Sequence, residues 1–157
     1  MSSFDHYLNR ILAAAGAEAR AEGSTVIEAH HLLLVIARDG SPALAAAGLD
    51  HAAVRAALDS EFARSLAAAG VHVDGGLPLA TPLAEGSPQL GATAKAALER
   101  GFAAAQRKRD CRPGHVLLGV LLTAVGTVPR ALDLAGADRV GLAENVRREI
   151  AGGDDDR

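Results

Sequence analysis

The chain contains one pattern twice: a histidine followed by a dense apolar run, then a short Ala/Leu segment, a glycine and an aspartate. The two copies are Ile27-Glu-Ala-His-His-Leu-Leu-Leu-Val-Ile-Ala37 and Arg112-Pro-Gly-His-Val-Leu-Leu-Gly-Val-Leu-Leu122. Each copy is followed by a similar segment, residues 43–50 in the first copy and 131–138 in the second. A repeat of this length predicts two similar supersecondary units, each of which needs the other to bury its apolar face.

The composition favours closely packed helices. Hydrophobic residues make up 49% of the chain, but aromatic residues only 3%, and alanine supplies much of the apolar content. Alanine has the highest helix propensity, and its small side chain lets helix axes approach each other. Long alternations of β-branched residues are absent, so we expect no strands. The sequence therefore predicts an all-α fold of about eight helices.

Proline and glycine divide the chain into segments. We predict a first repeat over residues 4–69, a linker over 70–89, a second repeat over 90–151 and a disordered acidic tail over 152–157. The linker contains several prolines and glycines and little periodicity, which forbids a regular helix there. We place helix one at about 4–22 and helix five at about 91–108, with Leu90 at the start of helix five.

Apolar spacing predicts which helix faces point inward. In the first repeat, the predicted inward residues are Leu8, Ile11, Leu12, Ala15 and Ala19 on helix one, and Val54, Leu58 and Phe62 on helix four. In the second repeat they are Ala94, Leu98, Phe102 and Ala105 on helix five, and Leu142, Val146 and Ile150 on helix eight.

Charge and cysteine content exclude several classes of protein. A net charge of −3 argues against a nucleic-acid surface, which normally carries a clear basic excess. The longest near-apolar run, 116–128, is too short to span a bilayer, and the N-terminus lacks the pattern of a signal peptide. Cys111 is the single cysteine, which excludes an internal disulfide and fits a reducing compartment. We therefore expect a soluble, cytoplasmic protein.

Sequence motifs of enzymes are absent. The chain has no Gly-x-x-x-x-Gly-Lys-Ser/Thr segment, so it carries no phosphate-cradling NTPase loop. It also lacks the Gly-x-Ser-x-Gly elbow of serine hydrolases. We predict no catalytic residue, no cofactor and no enzyme activity; a hydrolase with an unrecognised site is the weaker alternative.

The His30-His31 pair is the sharpest local cluster of possible metal ligands. Adjacent residues of a helix point about 100° apart, so the two side chains are poorly placed to bind one ion. We expect His31 to be hydrogen-bonded at the start of its helix, His30 to be exposed, and no metal to be bound. The same structural role is expected for His115.

Two further segments invite a functional interpretation. Residues 45–58 resemble a helix-turn-helix, with His51 and Arg55 early in the second helix. We prefer to interpret this segment as an ordinary corner between two helices. The second repeat has a matching corner at residues 135–146, so the duplication already explains the pattern. The basic cluster Arg107-Lys-Arg-Asp-Cys-Arg112 is interpreted as a solvated helix end, with Cys111 an inert thiol of a surface loop.

Each copy has a Phe or Leu, then a histidine with three apolar residues, then Ala-Leu, Gly, Asp and Val; the three residues are Leu-Leu-Leu after His31 and Val-Leu-Leu after His115. This doubled arrangement resembles the Clp N-terminal (Clp repeat) domain. That domain begins the ClpC and ClpA unfoldases. Phe4 lies 27 residues before His31, which is the family's spacing. The resemblance covers residues 4–150 and implies two four-helix repeats packed as a pseudo-two-fold pair, here free-standing without an ATPase module.

The chain departs from the family at five positions. The family opens each repeat with Phe-Thr, where this chain has Asp5 and Gly91 in place of threonine and Leu90 in place of the second phenylalanine. The glutamate that precedes each family histidine is replaced by His30 and Gly114. In some ClpC proteins these Thr and Glu positions receive phosphorylated arginine, so we expect that activity to be lost here.

The resemblance implies a non-enzymatic protein- or peptide-binding module that acts as an adaptor, a substrate-recognition factor or a sequestering decoy in Clp-dependent proteolysis. Its expected partners are Clp protease components, adaptors, substrate peptides and cyclic-peptide antibiotics, with no nucleic acid and no membrane; we expect a monomer.

The family's partner surface lies near the start of the first helix of each repeat. On this chain that surface comprises Phe4, Asn9, Arg10, Leu90 and Lys95. The alternative function is a small helix-turn-helix transcriptional regulator.

Overall fold

The structure is a computed structural model that describes residues 2–71 and 88–154. Within these residues it contains eight α-helices, one 3-10 turn at Lys108–Asp110 and two strands of two residues each. In chain order they are α1 (Ser3–Ala21), β1 (Val26–Ile27), α2 (Ala29–Asp39), α3 (Pro42–Ala46), α4 (His51–Ala68), β2 (Gln89–Leu90), α5 (Ala92–Ala105), α6 (Pro113–Leu121), α7 (Thr127–Leu134) and α8 (Arg139–Asp154). The predicted all-α fold is confirmed.

The two histidines of the sequence repeat occupy equivalent places. His31 is the third residue of α2, and His115 is the third residue of α6. In each case Nδ1 accepts a hydrogen bond from the backbone N–H three residues earlier, at 2.9 Å from Glu28 N and at 2.9 Å from Arg112 N. Each imidazole thus satisfies one of the free N–H groups at a helix start. The duplication predicted from sequence is present as a structural repeat.

Local signals explain where the helices begin and end. The Asp50 carboxylate accepts from Ala53 N at 2.8 Å, and that of Asp138 accepts from Gly141 N at 3.0 Å, so both cap the helices that they precede. Pro113 takes the first helical position of α6, where its missing N–H costs nothing. Gly48, just after α3, has a φ of +72°, which a glycine adopts without strain.

The dense apolar runs form the centre of the core. Every residue of α2 from His31 to Ala37 is buried, as is every residue of α6 from His115 to Leu121. These two helices contact each other, so the repeats share one core. Gly119 of α6 lies so close to α5 that a Cβ at this position would overlap the carbonyl oxygen of Ala97. The expected close helix packing is therefore present between α5 and α6.

The prediction of no strands is wrong at one place. Val26–Ile27 and Gln89–Leu90 pair in parallel, with Ile27 opposite Leu90. Leu90 therefore belongs to β2 rather than to the start of helix five, and Gln89 is not part of a linker. Helix α5 also ends earlier than predicted, at Ala105, before Gln106 with its φ of +65°. A two-residue strand is too short to produce an alternating pattern in the sequence.

The predicted inward face of helix four is wrong at Phe62, which is 53% exposed. Val54 and Leu58 are buried as predicted, but the next inward position is taken by Glu61, which is only 4% exposed. The Glu61 carboxylate is accommodated because Arg130 and Ser65 donate hydrogen bonds to it.

The ends of the predicted segments also shift. Helix α8 continues to Asp154, so the predicted tail at 152–157 begins inside a helix, and its last three residues lie outside the described part of the chain. Most of the predicted linker, 72–87, likewise lies outside the described residues. None of the helices in 2–71 and 88–154 is long and apolar enough to cross a membrane.

Candidate functional site

Phe4, the first residue of the predicted partner surface, lies at the edge of the core. Its half-buried ring meets the edge of the Phe102 ring, with centroids 6.0 Å apart and an interplanar angle of 82°. The Tyr7 ring lies 6.2 Å away on the same helix. The edge-to-face contact between Phe4 and Phe102 is favourable beyond the area that it buries. The contact joins the start of α1 to α5, and therefore the first repeat to the second.

Arg10 continues this group one turn along α1. Its Nη1 donates to Asp39 Oδ2 at 2.6 Å, and its guanidinium carbon lies 5.4 Å from the centroid of the Tyr7 ring. Burial raises the pKa of Tyr7 to about 12, so its ring stays neutral beneath the cation. The Arg10 side chain is 58% exposed. An exposed pair of this kind stabilises the fold only weakly, so a ligand can displace Asp39 from Arg10.

The other predicted surface residues lie on separate elements. Leu90 is half-buried in β2 and packs against the core, although the sequence placed it outside the core. Asn9 and Lys95 are exposed on α1 and α5. The described contacts thus join Phe4 and Arg10 through Tyr7, whereas Leu90 is fixed by backbone pairing with β1.

Side chains of this chain fill the space beside two of the positions where the family has threonine and glutamate. A Cβ at Gly91 would overlap Val26 and the Glu28 carboxylate, and a Cβ at Gly114 would lie 2.7 Å from Ile150 Cγ1. The threonine and glutamate of the family motif therefore have no room in the second repeat.

The equivalent polar side chains of the first repeat are already hydrogen-bonded. The Asp5 carboxylate accepts from Ser2 N at 3.0 Å and from Ser2 Oγ at 2.9 Å, and these bonds lower the pKa of Asp5. His30 Nε2 lies 3.1 Å from the Glu22 carboxylate. Both side chains therefore serve the structure of their own repeat.

The Glu22 side chain, just after α1, forms hydrogen bonds with both His30 and His31. Its Oε2 lies 2.7 Å from His31 Nε2 and 3.1 Å from His30 Nε2, and the two rings are 4.0 Å apart. Burial alone would raise the pKa of Glu22, but hydrogen bonds from His30, His31 and Arg55 lower it far below its usual value. The prediction of an exposed His30 is wrong: its side chain is only 19% exposed. The two adjacent side chains meet here because one oxygen of Glu22 lies within hydrogen-bond distance of both rings.

The three possible ligand atoms of Glu22, His30 and His31 lie within 4.8 Å of one another, which is close enough for a metal ion. The hydrogen bonds argue against such a use. His31 Nδ1 accepts from Glu28 N, so the single proton of the neutral ring lies on Nε2, where a metal would need the lone pair. Arg55 Nη1 also donates to the second Glu22 oxygen at 2.9 Å. The geometry fits a carboxylate that holds two imidazoles.

A second carboxylate, the buried Glu18, extends this network to three helices. It accepts from Arg38 of α2 and, at 3.1 Å, from Arg55 Nη2 of α4, and it lies 3.3 Å from His51 Nε2. Sequence reasoning missed this network. The one available signal was the spacing of Glu18 and Glu22 on a single face of helix one.

Cys111 lies in a different environment from the one predicted. It is buried, and its thiol faces the carbonyl oxygen of Arg107, with Sγ 3.8 Å from that oxygen. Burial raises the pKa of the Cys111 thiol, and the neighbouring Asp110 raises it further. The interpretation as a surface-loop thiol is therefore wrong, although a buried thiol with a raised pKa is also a poor nucleophile.

Comparisons with known proteins agree with this architecture. The family model described as "Clp repeat (R) N-terminal domain" matches residues 3–110. Among solved structures, the chain is similar to the N-terminal domain of the caseinolytic protease associated chaperone ClpD from Arabidopsis thaliana. The sequences are 18% identical, the TM-score is 0.65, and the match covers 90% of this chain and 93% of that one. A search of curated proteins found no match. The structural match establishes a shared fold.

Proposed function

The chain belongs to the Clp repeat N-terminal domain family, and from that membership we propose that it binds proteins or peptides in Clp-dependent proteolysis. In this role it acts as an adaptor, a substrate-recognition factor or a decoy, without an enzymatic activity of its own. Its partners are Clp components, adaptors, substrate peptides or cyclic-peptide antibiotics, and it works as a cytoplasmic monomer.

The observation that carries this proposal is the partly exposed aromatic group at the start of α1. The Phe4 ring contacts Phe102 of the second repeat. The Tyr7 ring contacts both Phe4 and the exposed guanidinium of Arg10. An apolar patch bordered by a cation matches the composition of protein interfaces, where aromatic and arginine side chains dominate the binding free energy. Arg10 can donate to a ligand carbonyl or carboxylate once it leaves Asp39.

The transcription-regulator alternative loses its main support. The two early side chains of the helix-turn-helix-like corner, His51 and Arg55, point into the network around Glu18 and Glu22. The Arg55 guanidinium uses two nitrogens in this network and is only 31% exposed. Side chains held in this way are not available to read base edges.

The proposal is tested by replacing the two apolar anchors, Phe4→Ala with Leu90→Ala. We expect the affinity for a labelled apolar peptide, measured by fluorescence anisotropy, to fall by about 1–3 kcal/mol per anchor. Phe62→Ala is the matched control, since Phe62 is an exposed phenylalanine on a different element, α4. The proposal would be refuted if the double variant bound the peptide as tightly as the parent protein does. A helical content or melting temperature far below that of Phe62→Ala would identify Phe4 and Leu90 as structural residues.

A further inference from the structure

Three consecutive cations, Arg107, Lys108 and Arg109, are exposed where the chain leaves α5. Helix α5 ends at Ala105, and the cations belong to the 3-10 turn at Lys108–Asp110 and the residue before it. They are therefore not the solvated helix end that the sequence predicts. Neither arginine forms an ion pair within the described part of the chain. We call these three residues the basic turn.

The backbone of the basic turn is held at both of its ends. At the start, Arg107 N donates to Ala105 O at 2.7 Å and closes a γ-turn around Gln106, whose φ is +65°. At the other end, Cys111 is buried, and its N–H donates to Lys108 O at 3.2 Å. The cations therefore project from an ordered backbone, so binding a ligand costs less conformational entropy than it would on a flexible loop.

A fourth cation lies against this turn. Arg112 Nη1 donates to the carbonyl oxygens of Arg109 and Cys111, at 3.2 Å from each. Asp110 is the one carboxylate in the segment 107–112, so the segment carries four positive charges and one negative charge. This is a concentrated positive surface on a chain whose net charge is −3. Arginine predominates in it, and guanidinium groups bind carboxylates through paired hydrogen bonds.

The basic turn lies next to the aromatic group at the start of α1. Hydrogen bonds from Ser2 lower the pKa of Asp5, and the charge of Lys108 lowers it further, so Asp5 and Lys108 are near each other. Asp5 follows Phe4 in the chain, and the Phe4 ring contacts Phe102, one turn before the end of α5. A ligand that contacts the Phe4 ring is therefore adjacent to the basic turn.

We propose that the basic turn binds an acidic segment of a protein partner, whose carboxylates pair with Arg107 and Arg109 beside an apolar residue held at Phe4. The inference rests on the proposed function for the protein nature of the ligand, and it adds the chemistry of the ligand's charged part. A 3-10 turn rises about 2 Å per residue, so three residues span about 6 Å. That length suits two or three carboxylates, whereas a protein that binds DNA contacts about 6–10 phosphates.

The test uses labelled, end-capped peptides that share an apolar Leu-Phe-Gly half, followed by three glutamates, three glutamines or three lysines. We expect the glutamate peptide to bind about tenfold more tightly than the glutamine peptide at low salt, and the lysine peptide to bind more weakly than both. The preference for glutamate should shrink at high salt, because exposed charges are screened. In an NMR titration with the glutamate peptide, the backbone amide signals of Arg107, Lys108 and Arg109 should shift.

The basic-turn variant combines Arg107→Gln, Lys108→Gln and Arg109→Gln. These side chains are exposed, so the helical content should be unchanged. We expect this variant to lose the preference for glutamate while it binds the glutamine peptide as the parent does.

The matched control combines Arg64→Gln, Arg147→Gln and Arg148→Gln. It removes three exposed cations of α4 and α8, and therefore changes the net charge by the same amount. We expect the control to keep the preference for glutamate, and an equal loss of preference in both variants refutes the basic turn as the site.

The remaining outcomes separate this inference from the proposed function. If the glutamate preference is absent, or survives in the basic-turn variant, while Phe4→Ala with Leu90→Ala abolishes binding, the basic turn is refuted and the proposed function stands. A single-stranded oligonucleotide that shifts the same amide signals and binds more tightly than the glutamate peptide refutes an acidic protein segment as the ligand. Failure of every peptide to bind refutes both the basic turn and the proposed peptide-binding function.

Discussion

At the residue scale, the glycines that replace polar family residues are required by their surroundings. Gly91 faces Val26 and Glu28, and Gly114 faces Ile150, with no space for a Cβ at either position. The loss of the threonine and glutamate pattern in the second repeat is therefore accompanied by packing that fills the same space. Restoring a single family side chain would strain the core rather than recreate a phosphate site.

We predict that phosphoarginine does not bind and that Gly114→Glu does not restore binding. The new side chain must displace Ile150, and overpacking of this kind costs about 1–3 kcal/mol, so the melting temperature should fall. Gly152→Glu is the control, because Gly152 is exposed on α8 with nothing near its Cβ direction. Calorimetry and thermal melts check both parts; stoichiometric phosphoarginine binding by the parent chain would contradict the first.

At the scale of elements, two carboxylates at the end of α1 hold together the first repeat. Glu18 and Glu22 connect α1 to Arg38 and the two histidines of α2, and to Arg55 of α4. Hydrogen bonds to charged groups are worth about 1.5–3 kcal/mol each when they are sheltered from water. The network therefore links α1, α2 and α4 by charged hydrogen bonds in addition to their apolar packing.

The lowered pKa of Glu22 predicts an acid-sensitive contribution to stability. A carboxyl group whose pKa is depressed by folding stabilises the protein above its unfolded pKa, near the ordinary value of 4.5, and loses this effect as pH falls. The stability advantage of the parent over Glu22→Gln should therefore shrink between pH 5 and about pH 3. In that window the histidines of the unfolded chain are already protonated.

Urea unfolding at several pH values measures this difference. The control is Glu99→Gln, which replaces an exposed glutamate of α5 and should differ from the parent by nearly the same amount at every pH. A constant gap between the parent and Glu22→Gln would show that the Glu22 carboxylate does not stabilise the fold through its ionised form.

At the scale of the whole molecule, an ion pair between the buried Glu61 carboxylate and the largely exposed Arg130 side chain connects the repeats. Arg130 Nε of α7 donates to Glu61 Oε1 of α4 at 2.8 Å, and Ser65 Oγ donates to the same oxygen at 2.6 Å. Although burial favours the neutral carboxyl, these hydrogen bonds lower the pKa of Glu61. Together with the contact between α2 and α6, the pair makes the two repeats one unit.

Arg130→Met should destabilise the protein by about 1–3 kcal/mol, because the Glu61 carboxylate would remain buried without its cation. Glu61→Leu combined with Arg130→Met should recover part of that loss, since an apolar pair leaves no uncompensated charge. Chemical denaturation of the single and double variants gives the coupling. Arg139→Met is the matched control: its partner Asp133 is 60% exposed, so the loss should stay below about 1 kcal/mol. A double variant less stable than either single variant would contradict this account.

The sequence alone determined the number of helices, the aspartate caps of α4 and α8 and the duplication, because each depends on residues that are close together in the chain. The dense apolar runs predicted the burial of α2 and α6, and the placement of His31 and His115 followed from the repeat. The family resemblance indicated Phe4 and Arg10 as residues of the partner surface. The helical period then fixes where each of them lies on α1.

Only the tertiary structure decided which side chains meet across the fold. Three such contacts join residues from different elements. They are the pairing of β1 with β2, the burial of Glu61 in place of Phe62, and the hydrogen bonds of both histidines to Glu22. Such contacts leave no periodic signal in the chain. Their free energy depends on desolvation and on hydrogen-bond geometry, and both are set by the distances between packed helices.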